Sequence, residues 1–180
     1  QFWHSPKPTI AAVHGFCIAG AFELALACDV TVAARGTRFG EPEVRFGTGI
    51  VAMLLPWVTG PKQAKEILLT GEDRLDASDA LRMGIVNRVV DDAELFETAM
   101  GIARSMTAAA ERSVLLTKRA INDSYEAMGF SRALKSALDI DVILNAATDP
   151  VRAEFNRIRG EQGLKAAITW RDARFGGHAE

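Results

Sequence analysis

Gly15-Phe16-Cys17-Ile18-Ala19-Gly20-Ala21-Phe22-Glu23-Leu24-Ala25 is the stretch that organises this chain. Just before it, Thr9-Ile10-Ala11-Ala12-Val13 is a short apolar, partly β-branched run that reads as a buried strand. Just after it, Val30-Thr31-Val32-Ala33-Ala34 reads as a second. Residues 15–20 read as a turn, and residues 22–28 carry strong helix formers. A small-residue turn that opens a helix presents free backbone N–H groups, which can bind a developing oxyanion. Glu23 falls in the first turn of that helix. A second acid, Glu43, follows another glycine-bearing segment, Arg38-Phe39-Gly40-Glu41-Pro42-Glu43-Val44. Two carboxylates brought to one place can divide acid and base work between them. An oxyanion site beside such a pair suits chemistry next to a carbonyl.

Each piece also has a plainer reading. An acid at a helix start gains roughly 0.3–1 kcal/mol from the dipole and needs no other role. Glycine at position 20 is the least strained residue for a tight strand-to-helix turn. Glu41 and Glu43 can be two exposed acids in a loop, with Pro42 holding Glu41 extended. Against this, small neighbours (Ala19, Gly20, Ala21) and apolar ones (Phe22, Leu24) would partly desolvate Glu23 and raise its pKa, while the dipole opposes that shift.

The elements that follow continue the alternation. Residues 38–40 are short and extended, and Gly47-Thr48-Gly49 is a flexible loop. Pro56 places the start of the next helix no earlier than about Met53, because proline fits only a first turn. Gly60-Pro61 closes that helix and opens another over 61–69, which Thr70-Gly71 stops. Asp76-Ala77-Ser78-Asp79 is a variant capping box for a helix ending at Gly84, and residues 85–90 read as a strand. From Asp91 onward the pattern is helical: 93–106, 111–127, 131–147, 150–159 and 164–171, with Asp149-Pro150 as a cap and first-turn pair. The class is therefore α/β, with residues 1–108 as an α/β core and 109–180 as an all-helical region. The amphipathic segments after residue 109 offer more apolar face than so short a chain can bury, which predicts a homo-oligomer.

Composition narrows the function classes. The 180 residues are 48% hydrophobic with a net charge of -2, a pI near 6.0 and a mean hydropathy of +0.06. No long basic run exists, which argues against a nucleic-acid partner. No apolar stretch reaches the length of a membrane span, and no secretory signal is visible. Cys17 and Cys28 lack metal-type spacing and read as small buried residues in a reducing compartment, so a cytoplasmic location is expected. His4, His14 and His178 share no motif; His14 reads as a turn residue. Arg171 and Arg174 could meet a phosphate but read more readily as solvated face, and Trp170 and Phe175 as packing rather than a stacking platform.

The chain resembles the crotonase superfamily, whose best-known members are the enoyl-CoA hydratases. The likeness runs through residues 7–15, Gly20-Ala21-Phe22-Glu23-Leu24-Ala25, Cys28-Asp29, Phe39-Gly40-Glu41-Pro42-Glu43 with Gly47, and Leu69-Thr70-Gly71 followed by Ala77 to Val86. The resemblance implies a crotonase-like (ClpP/crotonase) spiral of ββα turns. A C-terminal helical region would pack subunits into trimers or dimers of trimers. It implies that Gly20, with Ala19 beside it, binds the thioester oxygen. Glu23 and Glu43 would hold a water and add it across the α,β double bond of an acyl-CoA thioester. Val51 stands where the family has a glycine whose N–H helps hold that water. No cofactor is implied, coenzyme A being part of the substrate. The family has a substantial region before the position of Lys7 that supplies the second oxyanion N–H. This N-terminal part of the fold is expected to be missing here, leaving strand edges exposed. The stretch Gly49-Ile50-Val51-Ala52-Met53-Leu54 replaces a proline-glycine-rich run, which keeps two other chemistries of that fold open: double-bond isomerisation and thioester hydrolysis. A non-catalytic CoA-binding protein is the alternative from another class.

Overall fold

The computed structural model describes residues 2–50 and 52–176. Strand β1 (Ile10–Val13) is followed by β2 (Phe16–Ile18), which occupies the middle of the segment expected to be a plain turn. Helix α1 (Gly20–Leu26) then begins two residues before the expected start. The next pass repeats the plan with β3 (Val30–Ala34) and β4 (Arg38–Gly40), a 3-10 turn at Glu43–Phe46, and helices α2 (Leu55–Val58) and α3 (Pro61–Thr70). A third pass adds β5 (Leu75–Asp76), α4 (Ala77–Arg82) and β6 (Arg88–Val90).

Pairing shows the winding. β1, β3 and β6 form one parallel sheet, with Ile10 opposite Val30 and Val32 opposite Arg88. β2, β4 and β5 form another, in which β2 and β4 run parallel and β5 antiparallel. Each pass of the chain thus places one strand in each sheet, which is a spiral of strand-strand-helix turns. Among the described residues β1 and β2 are edge strands, and Phe16 of β2 is exposed.

The interior between the passes is filled by Phe22, Phe39, Leu26, Leu55, Ile67 and Ala80. Burying side chains of this size stabilises by roughly 1.5–3 kcal/mol each before conformational entropy is counted. A smaller cluster joins Val32 and Ala34 to Leu95 and Ala99 of α5 (Leu95–Ala108).

The rest is helical: α6 (Glu111–Ala127), α7 (Phe130–Ala146), α8 (Pro150–Gln162) and α9 (Leu164–Ala173). Two contacts tie these helices back to the spiral. Phe130, fully buried at the start of α7, joins the main core and stacks on Trp3, with Trp57 and Tyr125 edge-on around them. Lys118 of α6 reaches the Asp29 carboxylate at 2.7 Å and the Lys7 carbonyl at 3.0 Å.

Arg171 corrects the solvated-face reading of the tail. It is buried and pairs with Asp73 at 3.1 Å, bracing α9 against the loop after α3. A lone buried guanidinium would be strongly disfavoured, so the pair with Asp73 is a structural contact.

Candidate active site

Three glutamates converge where the spiral passes meet. Glu23 projects from the first turn of α1, Glu41 follows directly from β4, and Glu43 opens the 3-10 turn. Their mutual influence is direct: the charge of Glu43 acts on Glu23, and those of Glu43 and Glu23 act on Glu41. Glu23 Oε1 accepts the Ala52 N–H at 2.8 Å, which fixes the rotamer of that carboxylate. Val51, the expected water-holding position, lies outside the described residues, and the observed backbone donor is its neighbour.

Glu41 corrects the picture of two exposed loop acids. It is 1% exposed, while Glu43 is half-buried. The backbone leaves it no way out. Its N–H donates to the Glu72 carbonyl at 2.9 Å, and the Gly40 carbonyl accepts from Ala19 N–H at 2.8 Å. A methyl group at Gly40 would overlap the Glu72 carbonyl oxygen, so glycine alone permits this close passage.

A fourth acid comes from α7. Asp141 is buried, accepts from Asn145 Nδ2 at 2.8 Å through Oδ1, and adds its charge to the field on Glu23. A Cβ at Gly49 would come within 2.7 Å of that same oxygen, so Gly49 lets the loop lie against α7. An acid inside the apolar run Leu138 to Leu144 was the only sequence signal for Asp141; for Glu41 it was the apolar Phe39-Gly40 before it.

Among the described residues no lysine or arginine pairs with any of these four acids. Uncompensated burial penalises the charged form, and the protonation equilibria follow. Burial pushes Glu41 up to about 10, reinforced by the charge and the adjoining carboxylate of Glu43 and by the Glu23 charge. Glu43 is raised by burial, and its own backbone N–H and then the adjoining Glu41 carboxyl hold it back. Glu23 is raised by burial and by the Glu43 and Asp141 charges, against the pull of the Ala52 N–H. Among the described residues no trio of His, Cys, Asp and Glu is arranged to hold a metal ion.

The turn into α1 is built differently from the glycine-turn reading. Ala19, not Gly20, takes the unusual backbone, with φ 56 and ψ −130. Its N–H is committed to Gly40 and its carbonyl accepts the Glu23 N–H, so Ala19 shapes the turn. Gly20 has no positive φ, and a Cβ there would meet nothing within 4 Å. Neither strain nor crowding within the described residues requires glycine at 20. As the first helical residue it has no intrahelical acceptor for its N–H.

A cavity of about 680 Å³ lies elsewhere, between the spiral and α6, lined by Trp57, Ile85, Lys118 and Tyr125 among others. None of the four acids faces it.

The enoyl-CoA hydratase/isomerase family model matches residues 1–154. The chain belongs to that family, within the crotonase superfamily. Over 121 residues it is 41% identical to the short-chain-enoyl-CoA hydratase of Clostridium acetobutylicum, covering 64% of this chain and 45% of that protein. Over 174 residues it is 34% identical to the crotonyl-CoA hydratase of Syntrophomonas wolfei, covering 94% and 62%. The crystal structure of an enoyl-CoA hydratase/isomerase from Xanthobacter autotrophicus Py2 superimposes with a TM-score of 0.95 at 55% identity, over 97% of this chain and 65% of that one. The fold is thus the crotonase fold, and the chain spans about half the length of the Clostridium relative.

Proposed function

We propose that the protein is a 2-enoyl-CoA hydratase that adds water in syn fashion across the 2,3 double bond of the thioester. The observation that carries this reading is the convergence of Glu23 and Glu43 in one cation-free, partly desolvated cluster. Carboxylates held that close titrate as a coupled set, so one can be basic while its neighbour holds a proton. In the reaction, one of the pair takes a proton from water as its oxygen bonds to C3. The other gives a proton to C2, and the proton taken from water then passes between the pair to restore the starting state, so the net addition is one water molecule. The Gly20 N–H, at the first position of α1 and so without an intrahelical acceptor, is the proposed donor to the thioester oxygen as negative charge develops there. No cofactor is invoked, because proton transfer and carbonyl polarisation suffice and coenzyme A arrives with the substrate. Hydration is favoured over isomerisation and hydrolysis by the presence of two acids able to divide the work.

Two coarser features complete the proposal. The apolar outer faces of α6 and α7 support a homo-oligomer, and the family resemblance implies a trimer or a dimer of trimers. No described helix is long and apolar enough to cross a membrane. Cys17 and Cys28 are free thiols, in keeping with a cytoplasmic site of action.

The test is turnover of a short 2-enoyl-CoA, followed by loss of the conjugated thioester absorbance and by identification of the 3-hydroxyacyl product. Glu23→Gln and Glu43→Gln should each lower kcat by roughly 10²–10⁴-fold and leave ester binding largely intact. A wild-type rate no greater than that of the double variant ends the reading. Release of free coenzyme A, or a migrated double bond, transfers the protein to hydrolase or isomerase chemistry.

A further inference from the structure

Glu41 is a buried titratable group that the two-acid mechanism does not use. It is among the largest fully buried side chains of the chain, in the company of Phe22, Phe39 and Leu55. Backbone bonds on both sides clamp it: Gly40 is held by Ala19, and Glu41 itself by Glu72. Glu41 Oε2 and Glu43 Oε2 are both buried and neither has a hydrogen-bond partner among the described residues, a deficit that a proton on one of the two carboxyls would relieve. The groups around Glu41 offer no countercharge. Glu23 faces it from α1, Glu43 from the 3-10 turn, and the Cys17 thiol from β2, with Asp141 of α7 beyond Glu23. In the adjoining loop the Asp73 carboxylate is engaged by Arg45 and Arg171, so neither guanidinium pairs with the cluster.

An ionised carboxylate in such a place would lack both solvation and a cation, and the group instead keeps its proton. A carboxylic acid is also a hydrogen-bond donor, which an ionised one is not. We propose that Glu41 is a positioning residue that stays protonated at neutral pH and donates a hydrogen bond to Glu43, thereby setting the acidity of Glu43 within the working pair. Three consequences follow from that single bond. Glu43 is fixed in one rotamer. Its proton affinity is held below that of an equally buried acid without a donor. The proton of Glu41 takes no part in the net reaction, because the working pair regains from water the proton it gives to C2.

Charge and hydrogen bonding act in opposite directions here, which makes the test decisive in sign. Glu41→Gln keeps a neutral donor at the same place, and Glu41→Met keeps the volume without a donor. The pH profile of kcat/KM, which rests on the hydratase reading, reports the apparent pKa values of the pair. With a protonated Glu41, the Met variant moves them upward by roughly one pH unit and the Gln variant leaves them in place. A charged Glu41 would instead hold protons on its neighbours: both substitutions would remove that negative charge and move the values downward, which overturns the proposal. No movement in the Met variant makes Glu41 a mere space-filler and also overturns it.

A second measurement is independent of turnover and of any variant's folding. The infrared spectrum of the wild-type protein at pH 8 should show the C=O stretch of a protonated carboxyl group, lost only as pH rises toward 10. The Glu41→Gln difference spectrum assigns the band. If the band is present but no enoyl-CoA is hydrated, the proton on Glu41 stands and the hydratase reading falls. If the band is absent at pH 8, this inference falls whatever the activity.

Discussion

At the residue scale, a carboxyl group that is neutral in the folded protein and ionised in the unfolded chain couples stability to pH. Glu41 is pushed up to about 10 by burial, whereas an unfolded glutamate titrates near the ordinary carboxylate value of about 4.3. Its folded-state pKa is therefore raised. The folded state binds the extra proton between those two values, so stability is greatest below the lower one and declines as pH rises through the window. The slope approaches ~1.4 kcal/mol per pH unit while the group is protonated when folded and ionised when unfolded. Glu43 and Glu23 are raised as well and act in the same direction. Glu41→Gln removes the proton linkage of the largest contributor. Urea unfolding across pH 5 to 9 should show wild-type stability falling toward alkali and the Gln variant falling less, with the two curves converging at the acid end. Equal slopes would mean that Glu41 does not carry the proton. This cost explains why such a cluster belongs to a working site: nothing about packing rewards three acids without a cation.

At the scale of elements, most boundaries were legible because local chemistry enforces them. The Asp76 side chain accepts from the Asp79 N–H at 2.8 Å and Asp149 from the Arg152 N–H at 2.9 Å, in keeping with the capping readings. Pro56, Pro61 and Pro150 all sit in first turns. Asp76→Ala and Asp149→Ala should each cost about 1 kcal/mol in equilibrium unfolding, as loss of an N-cap usually does. An unchanged urea midpoint for either would show that the cap bond contributes nothing there. The missed elements, β2 and β5, are three and two residues long. Strands so short have no readable period; they exist because β4 lies between them and supplies the partner backbone. The same gap separates what was seen of the site from what was not. Glu23 and Glu43 stood out beside turns, and their convergence was implied by a family likeness. Glu41 looked like a loop acid because its burial is created by Glu72 and Ala19, which the sequence places far away along the chain. Gly20 was read as a turn residue, yet Ala19 carries the positive φ, since a tertiary bond to Gly40 holds it there.

At the scale of the whole molecule, α7 is the helix whose surroundings do not match its composition. One side meets the core through Phe130 and Leu134 and the acid cluster through Asp141. The others expose Leu138, Ile140, Val142, Ile143 and Leu144, with Ile143 68% exposed, and α6 adds Leu116 and Ile121. A helix this apolar is ordinarily covered, and the oligomer proposed above would cover it. Because Asp141 acts on Glu23 from this helix, a subunit packed over α7 would also restrain the acid site, linking assembly to activity. Ile140→Asp with Ile143→Asp should convert the oligomer to monomer, read as molar mass by light scattering at micromolar concentration. The helical signal should survive, since both side chains face outward, while turnover of enoyl-CoA should fall as α7 loses its support. A wild-type mass equal to one chain would remove the oligomer from the proposal, and a monomeric variant with undiminished turnover would show that the acid site is braced by its own subunit alone.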